Sequence, residues 1–320
     1  MRARKKKKRK ILPVILLIIL FIIVCFGVTA FSYLNKIKTV KINDKNLGVT
    51  EESKMPFNNV EGKHKVKNIL LMGVDNQENA SDSNIVLSID STAKKIKMSS
   101  LMRDTYVDLG EGRPITKLNY AYHYGGCDLS VKTVNELFKL DITDYVKVDF
   151  EGLMKIIDYV GGLEINVNEQ EFKYLNSYAK DIAKITNTKY TPISAPGKQL
   201  LNGQQATAYC RFRYDNNFDY GRTKRQRDVL FKLFNKFKEI PVTSYPDTAA
   251  NILPNLETSL SKLELIELGV NASLYGKNGI AETRCPYDGL KSDATIKGIY
   301  YMKWDQDKNV EKLHKFIYFE

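Results

Sequence analysis

Asn68–Asp75 reads N-I-L-L-M-G-V-D. A continuous apolar run of this length, stopped by an acid, is the pattern of a strand buried on both faces. Two further strands follow, over Asn84–Asp90 and Lys95–Ser100, joined by the polar turn S-T-A-K-K, and the last leads directly into Leu101-Met102-Arg103-Asp104. Helices then alternate with strands. Asp128 is placed to cap a helix reaching about Leu140. Asp144–Asp149 predicts a short strand and Phe150–Val160 an amphipathic helix with Phe150, Leu153, Met154, Ile157 and Val160 inward, stopped by Gly161-Gly162. Leu163–Val167 predicts another strand, and Asn202-Gly203-Gln204-Gln205 resembles a capping box that opens a helix. This alternation argues for an α/β fold: three layers, α/β/α, around a central mixed sheet. Ligands of such sheets bind beyond the strand carboxyl ends, where Asp75 and Arg103 fall.

Upstream, the chain changes character. Of its formal net charge of +12, eight cations lie in Arg2–Lys10, so the remainder is close to neutral and the composition does not describe a nucleic-acid binder. Ile11–Phe31 has no charged residue and is long enough to cross a bilayer. The basic flank keeps the N-terminus cytoplasmic and sends everything after Tyr33 outside. A cleaved signal peptide is the rival, with Val28-Thr29-Ala30 as its cleavage site, but the apolar stretch is long for one. The expected organisation is a basic tail (1–10), one transmembrane helix (11–32), a linker (33–66) and a catalytic domain (67–320) whose core motifs span 68–240.

Of the four cysteines, Cys25 falls in the apolar span. Cys127, Cys210 and Cys285 fall on the oxidising side, where disulfides persist. Three thiols allow one intramolecular bridge. The loop contexts of Cys127 and Cys285 predict that these two pair, with Cys210 reduced in the core. No C-x-x-C pair exists and three histidines make no zinc cluster.

The chemistry concentrates in Arg211–Gln226, R-F-R-Y-D-N-N-F-D-Y-G-R-T-K-R-Q. Guanidinium forks match phosphate oxygens pairwise. Thr207–Arg213 (T-A-Y-C-R-F-R) predicts a short strand, which points Arg211 and Arg213 one way and Phe212 the other. After a polar loop, Tyr214–Gly221, a long helix is predicted from Arg222 to about Glu239. Arg222 and Gln226 share its stripe with Val229, Leu230, Leu233, Phe237 and Ile240, which sets them toward the core at a helix start suited to anions. The alternative is a helix start with solvated arginines, against which the placement of polar residues on the apolar stripe counts. Asp75, Asp82 and Asp104 cluster near the first strands, and a diphosphate held by arginines also calls for a hard divalent ion bound by one or two carboxylates. Asp82, read as lying in a loop before a strand, is the better ligand. Asp75 is a second ligand, a residue that positions the first, or a base. Loop aspartates also serve simply as turn and cap residues.

Eight blocks in order resemble the LytR–CpsA–Psr family of bacterial cell-wall enzymes: N-I-L-L-M-G-V-D (68–75), S-D-S (81–83), S-S-L-M-R-D-T-Y (99–106), K-L-N-Y-A-Y-H-Y-G-G (117–126), D-Y-V-K-V-D-F-E-G-L (144–153), D-Y-V-G-G-L-E-I-N-V (158–167), L-N-G-Q-Q-A-T-A-Y-C-R-F-R (201–213) and D-Y-G-R-T-K-R-Q-R (219–227). The resemblance covers about Asn68–Ile240, together with the basic tail and apolar span. It implies a single-pass protein of the cell membrane in a Gram-positive-type envelope, its catalytic domain outside the cytoplasm. It implies transfer of a glycopolymer, of teichoic acid or capsular polysaccharide type, from undecaprenyl pyrophosphate to a peptidoglycan acceptor. By the same resemblance Arg103, Arg211, Arg213, Arg222 and Gln226 bind pyrophosphate, with Arg103 and Arg211 also catalytic. Asp82 binds Mg²⁺ (or Mn²⁺) with Asp75 nearby, and Asp219 belongs to the cluster. The expected partners are the lipid-linked glycopolymer, peptidoglycan and membrane lipid, with no nucleic acid. The family's Arg two residues before the metal-binding Asp is here Ala80, and its following Thr is Ser83. That departure keeps a non-catalytic lipid-pyrophosphate scaffold, or a hydrolase using water, as alternatives. The long apolar slot that a polyprenyl chain needs is placed against the helix Phe150–Val160 and neighbouring strands, with ordinary core packing as the alternative reading of the same residues.

Overall fold

The computed structural model describes residues 38–40, 42, 46–57, 60–213 and 218–320. The basic tail and the apolar span Ile11–Phe31 lie outside these residues, and no helix among those described is long and apolar enough to cross a membrane.

In chain order the elements are β1 (Lys38–Thr39), β2 (Val66–Asp75), β3 (Ala80–Asp90), β4 (Lys95–Leu101), β5 (Tyr106–Val107), β6 (Thr116–Lys117), α1 (Tyr120–Phe138), β7 (Asp144–Asp149), α2 (Phe150–Tyr159), β8 (Leu163–Val167), α3 (Glu169–Ile185), β9 (Gly197–Leu201), α4 (Gly203–Arg211), α5 (Phe218–Glu239), α6 (Tyr245–Ile252), β10 (Glu257–Thr258), α7 (Lys262–Tyr275), β11 (Ile280–Cys285), β12 (Lys291–Ile296), β13 (Ile299–Trp304) and α8 (Gln306–Phe319). Seven strands form the central sheet in the order β1-β10-β7-β2-β3-β4-β11. β2, β3 and β4 run antiparallel to one another, while β2–β7 and β4–β11 are parallel. The sheet is therefore mixed, as the alternation of elements predicts.

Period-two alternation assigns the two faces of the sheet. Leu70, Met72 and Val74 of β2 and Val86 of β3 join Val134 and Phe138 of α1 and Leu313, Phe316 and Ile317 of α8 in one core. The opposite face, including Leu71, Ile85, Leu87, Ile96 and Met98, looks toward α2, α4 and α5. A second core forms among these helices and α3, around Ile157, Leu175, Ile182, Ala206, Val229 and Leu233. Asn202 caps α4, its side chain accepting from the Gln205 N–H while Gln205 reaches back, and Asp149 caps α2 through the Gly152 N–H. The segment read as a linker is in part packed on the domain: β1 pairs with β10, and Leu47 is buried in the first core.

Three sequence expectations are corrected here. Thr207–Arg211 is the end of helix α4, not a strand: the capping box at Asn202 starts a helix that continues through A-Y-C-R until Phe212 turns extended (φ −59°, ψ 134°). The helix assigned to Asp128 begins earlier, at Tyr120, and is broken at Gly125–Gly126, whose non-helical backbone includes φ 60° at Gly126. Asp128 therefore lies in the first turn after that break. Finally, Cys127 and Cys285 are not bridged; Cys127, Cys210 and Cys285 are all free and buried. Cys127 Sγ lies 3.7 Å from the Glu257 carboxylate of β10, whereas Cys285 ends β11 with its Sγ 3.8 Å from Asn309. Five strand spacings separate β10 from β11 in the sheet order, on the order of 20 Å, far beyond disulfide reach. Burial pushes the Cys127 and Cys210 thiols up to about 12. Alkylation of the native chain without reductant is thus expected to be slow at these residues. After denaturation, still without reductant, mass spectrometry should find all four cysteines alkylated; a deficit of two would restore the bridge.

Candidate functional site

The site forms where β2 and β4 end and β3 begins. The ladder between β2 and β3 passes from Gly73↔Ser83 to Val74↔Ser81, which leaves Asp82 as the extra residue of a bulge. A bulge re-aims a side chain that strict alternation would send elsewhere. Here it lets Asp82 and Ser83, although consecutive, both line the same cavity. Gly73 permits the close approach, since a Cβ there would meet Ser83 Cβ at 3.1 Å. Asp82 is thus a buried strand residue, not the loop residue its N-A-S-D-S context predicts. The S-D-S sequence contains no sign of this, because a bulge is defined by the partner strand.

Arginines reach Asp82 from three parts of the chain. Arg103, two residues beyond β4, donates through Nη1 to Asp82 Oδ1. Arg213 places Nη2 3.8 Å from Oδ2. Arg222, one turn into α5 and only 1% exposed, adds its field. Burial alone would raise the pKa of Asp82. The combined pull of Arg103, Arg222 and Arg213 overrides it and holds the carboxyl below its ordinary value. Arg211, the last residue of α4, lies with its guanidinium 4.5 Å from the centre of the Phe150 ring and donates to Asp75 Oδ2 at 3.2 Å. Asp75 Oδ1 accepts from the backbone N–H groups of Gln77 and Glu78 at 2.9 and 3.3 Å. Asp104 lies 3.5 Å from Arg103 Nε and 2.6 Å from Lys117 Nζ.

Arg211 and Arg213 do point to one site with Phe212 buried between them. The reason is the extended backbone at Phe212 after the helix end, not a strand. Gln226 lines the cavity with Val229, Leu230, Leu233 and Phe237, as the helical stripe predicts. α5 starts four residues before the predicted Arg222. Asp219 falls in its first turn, and its side chain lies outside the described residues. Two arginines of the same motif have structural tasks that the sequence reading missed. Arg225 donates to the Phe212 carbonyl at 2.6 Å and lies 4.7 Å from that ring's centre, which fixes the extended turn carrying Arg213. Arg227 ties α5 to the sheet through Glu282 and Ser100, each at 2.8 Å. The only signal for them was the R-Q-R spacing, which sets residues 225 and 227 apart from Gln226.

Behind these charges lies an apolar cavity of about 380 Å³. Its floor is the sheet face of Leu71, Ile85, Leu87 and Met98, and its walls come from Phe150 and Leu153 of α2 and Leu230 and Phe237 of α5. Asp82, Ser83, Arg211 and Gln226 are among its few polar lining residues. The slot expected against Phe150–Val160 is present. A cavity with a cationic mouth and an aliphatic interior suits an amphiphile with an anionic head.

Among the described residues no group of three or more His, Cys, Asp and Glu forms a metal site. The donors nevertheless fit Mg²⁺, which takes one or two carboxylates and completes its shell with phosphate oxygens and water. Asp82 supplies an ionised carboxylate beside the guanidiniums that would face those phosphates. Asp75 fits less well as a direct ligand, since its oxygens already receive two N–H groups and Arg211.

Residues 30–316 match the model of the LytR_cpsA_psr family, and the chain belongs to that family. It is similar to the polyisoprenyl-teichoic acid–peptidoglycan teichoic acid transferase TagU of Enterococcus faecalis, with 31% identity over 278 residues and 84% of each chain covered. Among solved structures it resembles B. subtilis TagT (TM-score 0.63, 25% identity, 87% of this chain and 98% of that one). It also resembles TagT bound to LIIa-WTA (TM-score 0.64, 26% identity, 87% and 97%).

Because folding lowers the pKa of Asp82, its charge contributes stability above the ordinary carboxylate value of about 3.9, and that contribution is lost as pH falls below it. Asp82→Asn is expected to cost about 3–5 kcal/mol at pH 7, since it removes the buried carboxylate that Arg103 and Arg213 contact. The gap to the parent should close as urea titrations move below pH 4. A pH-independent gap would show that Asp82 is not the ionised centre of the cluster.

Proposed function

We propose that this protein is an extracytoplasmic, membrane-anchored phosphotransferase. It moves a glycopolymer of teichoic-acid or capsular type from undecaprenyl pyrophosphate to peptidoglycan, with Mg²⁺ or Mn²⁺ as cofactor. The observation that carries this reading is the joining of an arginine cluster to a 380 Å³ apolar cavity. Diphosphate and polyisoprenyl chain match its two halves. The name of the E. faecalis relative, with its polyisoprenyl-teichoic acid and peptidoglycan, supports the same donor and acceptor classes.

In this reading the polyprenyl tail lies between α2, α5 and the sheet, and the diphosphate meets Arg103, Arg211, Arg213 and Arg222. An acceptor hydroxyl attacks the phosphorus that bears the glycan and releases its proton to solvent at the mouth. The bond to the bridging oxygen breaks, a phosphodiester to the acceptor forms, and undecaprenyl phosphate leaves with the added charge. Phosphoryl transfer of this kind is chiefly positioning and charge neutralisation. The guanidiniums supply both, from positions fixed before the substrate arrives. Asp75 keeps Arg211 aimed at the mouth, and Gln226 donates or accepts at the cavity edge. When bound, Mg²⁺ held by Asp82 would add Lewis-acid neutralisation of the phosphate oxygens.

Ala80, buried where the family's arginine is expected, favours one second reading: a scaffold that holds the lipid without turning it over. Metal-dependent release of polyprenyl phosphate from a lipid-linked glycopolymer separates the two. Release should stop when EDTA removes the metal and resume with Mg²⁺. Arg213→Ala, a change at a half-buried residue, should slow it by about 10²–10³-fold. Tight lipid binding with no release under any metal condition would establish the scaffold instead.

A further inference from the structure

One block of the sequence supplies none of the residues assigned to the diphosphate itself: K-L-N-Y-A-Y-H-Y-G-G, 117–126. Its Asn119 is clamped into that site through the backbone. The Asn119 N–H donates to the Arg103 carbonyl at 3.1 Å, and its carbonyl accepts from the Ser81 N–H at 3.3 Å and the Ser81 hydroxyl at 3.4 Å. Asn119 therefore sits between the residue before Asp82 and the arginine bound to it. The next residue, Tyr120, starts α1.

Tyr120, His123 and Tyr124 fall at i, i+3 and i+4, on one face of that first turn. All three are exposed, Tyr120 at 38% and Tyr124 at 44%. Their rings form an edge-to-face array, with His123 5.5 Å from Tyr120 and 5.2 Å from Tyr124. The array ends at the Gly125–Gly126 break, so this turn is built separately from the buried helix that follows. No charged residue occurs from Leu118 to Cys127, in a chain that is 27% charged. Neighbouring large rings left in water at the rim of a reaction site are a binding surface. Apolar faces with hydroxyl and imidazole tips suit a ligand that is apolar on its faces and polar at its edges.

We propose that Tyr120, His123 and Tyr124 form the acceptor platform, on which a neutral pyranose chain stacks so that its hydroxyl reaches the diphosphate held by the arginines. The absence of charge selects a neutral sugar over an anionic one, and the clamp at Asn119 sets the platform's register against the reacting phosphorus. This inference rests on the transferase reading above and adds the residues that receive the second substrate.

The test uses the full chain in detergent micelles with two probes, a β-1,4-linked N-acetylglucosamine tetramer and geranylgeranyl pyrophosphate. Saturation-transfer NMR should show contact between the sugar and protein aromatic protons. Tyr120→Ala/Tyr124→Ala should weaken tetramer binding about tenfold, while Tyr120→Phe/Tyr124→Phe stays within about threefold because the ring faces remain. Binding of the pyrophosphate should not change in either variant, which also shows that both are folded. The proposal is overturned if the parent does not bind the tetramer, or if the double alanine variant binds it as well as the parent. It is likewise overturned if that variant instead loses affinity for phosphatidylglycerol vesicles, which would make the rings a membrane contact. Failure of the parent to bind geranylgeranyl pyrophosphate would overturn the transferase reading itself, a separate outcome.

Discussion

Three guanidiniums converge on the buried Asp82 carboxylate, and the rest of the site follows from that convergence. Cations at this depth are costly without a compensating anion. Asp82 supplies that anion to Arg103, Arg213 and Arg222, with Asp104 also beside Arg103, and is held ionised below the ordinary carboxylate range. In the proposed function a diphosphate brings further negative charge to this cluster. Separate elements are committed to keeping the cluster together: the bulge in β3 aims Asp82, the end of β4 sends Arg103, and Arg225 pins the turn that carries Arg213. Folding thus fixes the cluster in advance of any ligand, which in the proposed function is the condition for low reorganisation during phosphoryl transfer.

The second constraint is the apolar cavity beside this charge. Cores normally close to crystal-like density, yet here Leu71, Ile85, Leu87 and Met98 of the sheet stand apart from Leu230 and Phe237 of α5. The two features share residues: Arg211 and Gln226 line the cavity, and Arg211 reaches Asp75. The arginine cluster and the cavity wall therefore rest on the same helices, α4 and α5. Any displacement of α5 moves Arg222 and the cavity wall together.

Much of this was legible in the sequence, and the failures have definite causes. β7 at Asp144–Asp149 and β8 at Leu163–Val167 were readable to the residue, because caps and a Gly-Gly stop bracket them. The stripe of α5 from Arg222 to Phe237 was readable because burial follows the 3.6-residue period. T-A-Y-C-R-F-R misled because aromatic and alternating residues suit a strand, while the capping box at Asn202 had already committed the segment to a helix. The aim of Arg211 and Arg213 survived that error through the extended residue between them. Asp82 was picked as a site residue but set in a loop, since a bulge exists only relative to Gly73 and Val74 on the neighbouring strand. The pairing assigned to Cys127 and Cys285 failed for the same reason: strand order, which separates them, is not a local property.

The central claim is that one pocket reads both a diphosphate and an isoprenoid chain. Calorimetric titration of the full chain with inorganic pyrophosphate and with C10, C15 and C20 prenyl diphosphates tests it most directly. The affinity is expected to rise about tenfold or more with each added isoprene unit while the cavity fills, and to fall sharply when the C20 diphosphate is replaced by its monophosphate. Equal affinity for inorganic pyrophosphate and the C20 compound, or for the C20 mono- and diphosphates, would contradict it.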